Sequence, residues 1–380
     1  MKVIAFYLPQ FHEIPENNKM WGEGFTEWVN VKKAKPLFEG HFQPVEPLDD
    51  NYYDLTNNKT LKWQVELAKK YGIYGFCFYH YWYNEHMLLH KPVEIFLNDK
   101  SLNLPFCLSW ANHDWTMAWV NKSDNVLYSQ DYSIKEEWDK HFDYLYQFFV
   151  DERYIRKNGK PLMVIYQGPR QEQRGCFVEM LNRWDYLAKE KGLGGLCFAY
   201  QSVDIDIFCD DYFNFDYDIE YQPAYVHRLS LKKQQSRIVE GLRWINSKTI
   251  KLKYSSISRF FHRNKVELTD YDYCWNKLLQ MGPIRDNSIP GAFVGCDTTP
   301  RRRERGFVIQ GMTPEKFKGY FTEQIIRARD IYKSDMLFIF AWNEWAEGAY
   351  LEPDKRWGYA VLEAIKESLI KTNEFPQIPN

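Results

Sequence analysis

No two of the seven cysteines stand at Cys-x-x-Cys spacing, and Cys77, Cys107, Cys197 and Cys296 each sit inside an apolar run. That speaks against a zinc or redox motif and reads as buried free thiols in a reducing compartment. No run of about 18 apolar residues occurs, so an ordinary membrane-spanning helix is excluded. The opening segment Met1-Lys2-Val3-Ile4-Ala5-Phe6-Tyr7 is too short for a signal h-region and soon meets Pro9 and Gln10. A cytoplasmic location, free or at a membrane surface, is expected, with an extracytoplasmic one open if a leader has been removed. Charge of neither sign dominates: 49 basic residues against 51 acidic ones argue against a nucleic-acid partner. Internal repeats and low-complexity tracts are missing too. Glycine is absent from Leu8-Pro9-Gln10-Phe11-His12, the turn after the first apolar run, where a dinucleotide-binding sheet would carry a Gly-rich phosphate loop.

Flat rings, by contrast, are abundant: 14 Trp, 27 Tyr and 26 Phe make up 18% of the chain. That exceeds what a core usually needs, so part of this ring surface is expected to line a binding cleft, and sugar faces are natural partners. Eight short apolar runs recur, at 3–8, 75–82, 105–110, 161–167, 195–200, 217–222, 290–296 and 336–342. Between several of them lie stretches with helical spacing, at 58–71, 134–150, 176–191 and 314–333, the last opened by Thr313 and Pro314 as N-cap and N1. Strand followed by helix, repeated, means a parallel sheet. Runs that are apolar throughout fit a sheet covered on both faces, so an α/β fold, a single (β/α)8 barrel over residues 1–380, is expected. A doubly wound open sheet is the alternative. Residues 227–265 hold eleven Lys or Arg against the single acidic Glu240. They predict a basic helical insertion after strand six, at about 227–288, as a solvated excursion or an amphipathic element on a membrane or anionic glycan.

In a barrel the chemistry sits where strands end. The last run leads into Trp342-Asn343-Glu344-Trp345-Ala346-Glu347-Gly348. Glycosidic bond chemistry needs two carboxyls with separated proton affinities, and Glu344 and Glu347 qualify by type. A tight turn, which Gly348 makes easy, would bring both to one side. Trp342 and Trp345 could wall one carboxyl off from water and keep it protonated. Near the other strand ends stand Tyr7, His80, Trp82, Trp110, Asn112, Tyr166 and Tyr221, as candidates for stacking on sugars or binding hydroxyls, or as core. Asn343 and Trp345 flank the pair. Asp297 with Arg301, Arg302, Arg303 and Arg305 could bind a charged sugar substituent or a phosphate, or be a solvated basic loop. His80, His86 and His90 lack the companion ligands of a metal site, so no metal and no cofactor are expected. The pairs Asp204/Asp206, Asp216/Asp218 and Asp270/Asp272 would matter as metal sites only on a nucleotide-binding sheet.

The segment Asn343-Glu344-Trp345-Ala346-Glu347-Gly348, followed by Leu351-Glu352-Pro353, resembles the Asn-Glu-Trp-x-Glu-Gly signature of glycoside hydrolase family 99, the endo-α-mannosidase and endo-α-mannanase barrels. Ala5-Phe6-Tyr7-Leu8-Pro9-Gln10-Phe11-His12, Trp21-Gly22-Glu23-Gly24-Phe25-Thr26-Glu27-Trp28, Gly75-Phe76-Cys77-Phe78-Tyr79-His80-Tyr81-Trp82 and Asp297-Thr298-Thr299-Pro300-Arg301 resemble the WbsX-type family more closely still. That family is family 99-like, and its members are often named glycosyltransferases of polysaccharide gene clusters. The resemblance implies that Glu344 takes the proton of a substrate 2-hydroxyl, whose oxygen attacks the anomeric carbon, while Glu347 serves as acid and base. It implies retention of configuration and α-manno or α-rhamno sugars. One stretch departs: where WbsX-type proteins usually read Trp-Ala-Asn-Glu-Asn-Trp-Thr-Arg-Arg-Trp, this chain carries His113, Asp114, Met117 and Ala118.

A retaining glycosidase or transglycosidase on a microbial polysaccharide is therefore the expectation. The alternatives are a transferase building O-antigen, capsule or lipopolysaccharide on a lipid-linked glycan, and a non-catalytic glycan-binding barrel.

Overall fold

The computed structural model describes residues 1–84, 86–116, 126–203, 213–226 and 266–377. All eight expected strands form, and all pair in parallel. They are β1 (Lys2–Tyr7), β2 (Gly75–Tyr83), β3 (Phe106–Trp110), β4 (Lys160–Ile165), β5 (Cys197–Ser202), β6 (Tyr217–Glu220), β7 (Ser288–Ile289 continuing as Gly291–Phe293) and β8 (Met336–Phe340). Each pairs with its neighbour in sequence, and β8 returns to β1 with Phe338 opposite Ile4.

The circle closes at β7, which Pro290 divides. Ile289 pairs with Ile219 of β6 on one side, and Gly291 pairs with Phe338 of β8 on the other. Proline has no N–H to give to a ladder, but its carbonyl accepts from the Phe338 amide at 3.1 Å. Gly291 is required here: a Cβ would lie 1.8 Å from the Glu220 carbonyl oxygen.

Seven helices form the wall described here: α1 (Asn58–Tyr71), α2 (Lys91–Asn98), α3 (Lys135–Phe149), α4 (Arg174–Glu190), α5 (Tyr271–Gln280), α6 (Pro314–Asp330) and α7 (Ala360–Lys371). Local signals start them. The Asn57 side chain caps α1 by accepting from the Lys59 amide, and Thr313 caps α6 by accepting from the Lys316 amide. In α1 the buried residues Leu61, Gln64, Val65 and Ala68 recur at helical spacing and face the barrel. Every residue of β2, β3 and β8 is buried, as a sheet covered on both faces requires.

One boundary differs from expectation. Residues 227–265, which hold the basic run, lie outside the described residues. In the rest of the expected insertion, Glu267–Asp270 pairs in parallel with Phe307–Gln310 in a separate two-stranded sheet, and α5 follows, capped by the Asp270 side chain on the Tyr273 amide. Trp275 stacks on Phe293 of β7 with ring centres 4.9 Å apart, so α5 packs on the strand that follows it. Among the described residues no helix is long and apolar enough to cross a membrane.

Candidate active site

Beyond β8 the chain makes a two-residue strand, Asn343–Glu344, then a 3-10 turn, Trp345–Glu347, ended by Gly348 at φ 59°. A Cβ at Gly348 would lie 2.8 Å from Cβ of Asp297 and 2.9 Å from its nitrogen. This turn brings Glu344 and Glu347 to the same side, as the spacing suggested. Both bind one guanidinium: Arg301 Nη2 donates to Glu344 Oε2 at 2.9 Å, and Nη1 donates to Glu347 Oε1. The remaining nitrogen, Nε, donates to Glu27 Oε1 at 2.8 Å.

The pair faces a cleft of about 590 Å³ whose lining includes Glu27, Tyr79, Tyr81, His113, Tyr166, Tyr221 and Arg301. Glu344 lies deeper, its side chain 6% exposed against 21% for Glu347. Burial pushes the Glu344 carboxyl up to about 8; Arg301 pulls it down, and Glu347 and Glu27 push it up again. Burial therefore favours a proton on Glu344 near neutrality. Burial also raises the phenols of Tyr79, Tyr81 and Tyr221, so they stay hydrogen-bond donors. The Tyr79 and Tyr221 hydroxyls lie 3.3 Å apart.

Of the residues expected to bind substrate, Tyr166, Tyr221 and Arg301 line this cleft. The others point elsewhere, and strand alternation is the main reason. On β2, Tyr79 and Tyr81 line the cleft while His80 and Trp82 face α3. His80 Nε2 meets His141 Nε2 at 2.8 Å, and Trp82 stacks on the His141 ring with centres 4.5 Å apart. Trp110 joins the same layer against His141 and Trp184. Tyr7 donates to Gln64 Oε1 at 2.7 Å within the core. Asn112 is a loop strut, giving to the Gln167 carbonyl at 2.7 Å and taking from its amide at 2.9 Å.

Asn343 and Trp345 also turn away from the cleft. Asn343 is bound to the main chain of Leu8, and Trp345 donates from Nε1 to Glu352 Oε2 at 2.7 Å while stacking on Tyr350 at 3.9 Å. Trp342 and Trp345 are thus fully buried, and neither lines the cleft that Glu344 and Glu347 face. Asp297 is a strut as well. Its side chain accepts from His41 Nε2 at 2.8 Å, Gln43 Nε2 at 2.6 Å and the Thr299 amide at 2.9 Å. His41 Nδ1 takes the Leu37 amide at 3.0 Å, which fixes Nε2 as the donor. The backbone of Asp297 gives its N–H to the Glu347 carbonyl at 2.6 Å.

Arg301 was expected as an anion binder, but its nitrogens are occupied by three carboxylates. Arg302 and Arg305 share the cleft wall. Glu27, Tyr79, Tyr81, His113 and Trp115 also line the cleft and were not among the expected substrate-binding residues; parity along β2 would have found the two tyrosines. Of the Asp-x-Asp pairs, Asp204/Asp206 lie outside the described residues. Asp216 accepts from the Phe198 amide and Asp272 binds Lys316, which are structural roles. Among the described residues, no cluster of His, Cys, Asp or Glu could hold a metal ion.

Paired carboxyls and a tyrosine-lined cleft thus stand together at the strand ends of this barrel. The chain belongs to the family described as "Glycosyltransferase WbsX", matched over residues 3–365. Two curated relatives called "Uncharacterized protein WxcX", from two strains of Xanthomonas campestris pv. campestris, are 33% and 34% identical over 376 residues. That is 97% of this chain and 50% of theirs, so the chain spans about half the length of these relatives. Among solved structures, a GH99 endo-alpha-mannosidase of Bacteroides thetaiotaomicron in complex with BIS-TRIS-propane is similar with TM-score 0.56 at 12% identity, covering 98% of this chain and 97% of that one. A "Glycoside hydrolase-like protein" is similar with TM-score 0.57 at 13% identity, covering 97% and 93%. At such identities the likeness speaks for the shared fold.

Proposed function

We propose that this barrel cleaves or transfers glycosidic bonds of a microbial polysaccharide with retention of configuration, on α-manno or α-rhamno sugars, with Glu344 and Glu347 as the reacting carboxyls. The observation that carries this reading is the shared Arg301 guanidinium, which holds both glutamates at one cleft and leaves each a second oxygen for substrate. In the first step Glu344 accepts the proton of the 2-hydroxyl, that oxygen bonds to the anomeric carbon, and the glycosidic bond breaks as Glu347 protonates the leaving oxygen. In the second, Glu347 takes a proton from water or an acceptor hydroxyl. The new oxygen bonds to the anomeric carbon, and the 1,2-anhydro ring opens as Glu344 returns the proton to O2.

The deeper Glu344 suits a group that serves the sugar's own hydroxyl, and the more open Glu347 suits one that serves leaving group and acceptor. Burial favours the resting proton on Glu344, whereas the first step needs it on Glu347. Binding of the sugar must therefore move the acid proton to Glu347 before the glycosidic bond breaks. The family's description favours a second reading, a glycosyltransferase; in that reading the product would be an O-antigen, capsule or lipopolysaccharide and the acceptor a lipid-linked glycan. The reacting pair speaks against a purely glycan-binding barrel.

Hydrolase and transferase separate on the donor. Incubation with manno- and rhamno-configured oligosaccharides is expected to yield shorter or rearranged glycans. Release of nucleotide from nucleotide sugars, with the oligosaccharides untouched, would instead establish the transferase.

A further inference from the structure

Arg301 faces more negative charge than it can balance. Three carboxyls, those of Glu27, Glu344 and Glu347, bind one guanidinium, so full ionisation would leave three negative charges against one positive in a nearly closed site. Glu27 differs from the other two because it comes from the other end of the chain and is fixed independently. Its side chain is buried, Oε1 also accepts from Asn30 Nδ2 at 3.0 Å, and its amide donates to the Gln10 carbonyl at 3.0 Å. The helix that carries it, Glu27–Lys33, packs against the turn of the glutamate pair, with the Trp28 ring 5.4 Å from that of Trp345.

We propose that Glu27 is a positioning residue that holds Arg301 across Glu344 and Glu347 and sets a third carboxyl on their shared guanidinium. This rests on reading the pair as the reacting groups. Without Glu27 the guanidinium loses its anchor at Nε and is free to turn toward one glutamate, spoiling the division of acid and base between them. Removing the charge also makes the pair ionise more readily, because a like charge nearby disfavours ionisation.

Other titratable groups at the pair do not confuse the measurement. Burial raises the phenols of Tyr79, Tyr81 and Tyr221 and the thiol of Cys296, and burial lowers the His113 imidazole, so all five are neutral around pH 7. Among the described residues, Arg302, Arg305 and Glu267 are the remaining charged groups on the cleft wall, and every variant below keeps them.

The test is a difference-infrared titration of the protonated-carboxyl C=O band from about pH 5 to pH 9, assigned to the pair by its change in Glu344→Gln and Glu347→Gln. No substrate is needed. In Glu27→Gln the loss of that band is expected about one pH unit lower than in wild type. Glu27→Ser should move it alike, and Glu27→Asp, which keeps the charge, should hold it near the wild-type position. A band that titrates unmoved in either folded charge-removing variant overturns the proposal. Failure of the catalytic reading would look different: the band would still move with Glu27, but Glu344→Gln and Glu347→Gln would keep their turnover.

Discussion

The side-chain amide of Asn343 pairs in both directions with the main chain of Leu8, taking its N–H at 2.8 Å and giving to its carbonyl at 2.9 Å. Leu8 follows the first barrel strand and Asn343 follows the last, so this pair locks the barrel rim one residue before Glu344. Asn343→Ala leaves a buried donor and acceptor of Leu8 unmatched. A stability loss of about 2–4 kcal/mol is expected in denaturant unfolding, together with lower turnover; a loss below about 1 kcal/mol would show that the rim does not depend on it.

Gly348 sets the other end of the same turn. Alanine there would need a left-handed backbone and would place its Cβ against Asp297, whose amide holds the Glu347 carbonyl. Glu347 must then shift. Gly348→Ala is expected to cost about 1–3 kcal/mol and to lower kcat by at least about tenfold, since small displacements of a reacting group are costly. Unchanged kcat would mean that the position of Glu347 is not set by this turn.

Two tyrosines near strand ends separate cleft from core. Tyr221→Phe removes a cleft hydroxyl beside Tyr79 and is expected to raise KM by about 3–10-fold, the worth of one hydrogen bond to substrate. Tyr7→Phe removes the bond to Gln64 and is expected to cost about 1 kcal/mol of stability with KM unmoved. A KM effect at Tyr7 and none at Tyr221 would reverse the assignment of their faces.

Stability should have a broad maximum between about pH 4.5 and 6.5 and fall on either side. Burial raises the carboxyls of Glu344 to about 8 and of Glu220 and Glu352 to about 7. The folded state keeps protons there that the unfolded chain has shed, so stability present below about pH 4.5 is lost as pH rises through 7 and 8. Burial lowers His12 to about 4 and His80 to about 3, so their contribution, present above about pH 6.5, is lost as pH falls. Thermal unfolding across pH 3.5–9 checks this. Glu344→Gln should melt a few degrees above wild type at pH 9, because it removes one of the groups that titrate on the alkaline side. A melting temperature that climbs steadily from pH 5 to pH 9 would contradict the scheme.

The eight strands were legible because each is a short apolar run with helical spacing after it, and the covered parallel sheet follows from that alone. Pro290 hid the seam: proline inside a strand reads as an interruption, yet here its carbonyl pairs with β8 while Ile289 pairs with β6. Residues 266–288 were not separable from the basic run by sequence, because α5 carries its apolar residues, Tyr271, Cys274, Trp275 and Leu278, close behind the Lys and Arg. Glu344 and Glu347 stood out through their place after a buried strand. Their neighbours did not, because proximity to a strand end does not say which way a side chain points. His80 and Trp82 sit one residue from Tyr79 and Tyr81, and alternation turns them to the opposite face. Glu27 lay in a quoted motif, but its meeting with Arg301 joins residues 274 apart in sequence, which no local pattern reveals.

The most direct test of the central claim is turnover by Glu344→Gln and Glu347→Gln on manno- and rhamno-configured oligosaccharides, measured beside glycan binding by calorimetry. Each substitution is expected to lower kcat by about 100-fold or more while the fold is kept and binding stays within a few-fold of wild type. Wild-type turnover in either variant would contradict the account.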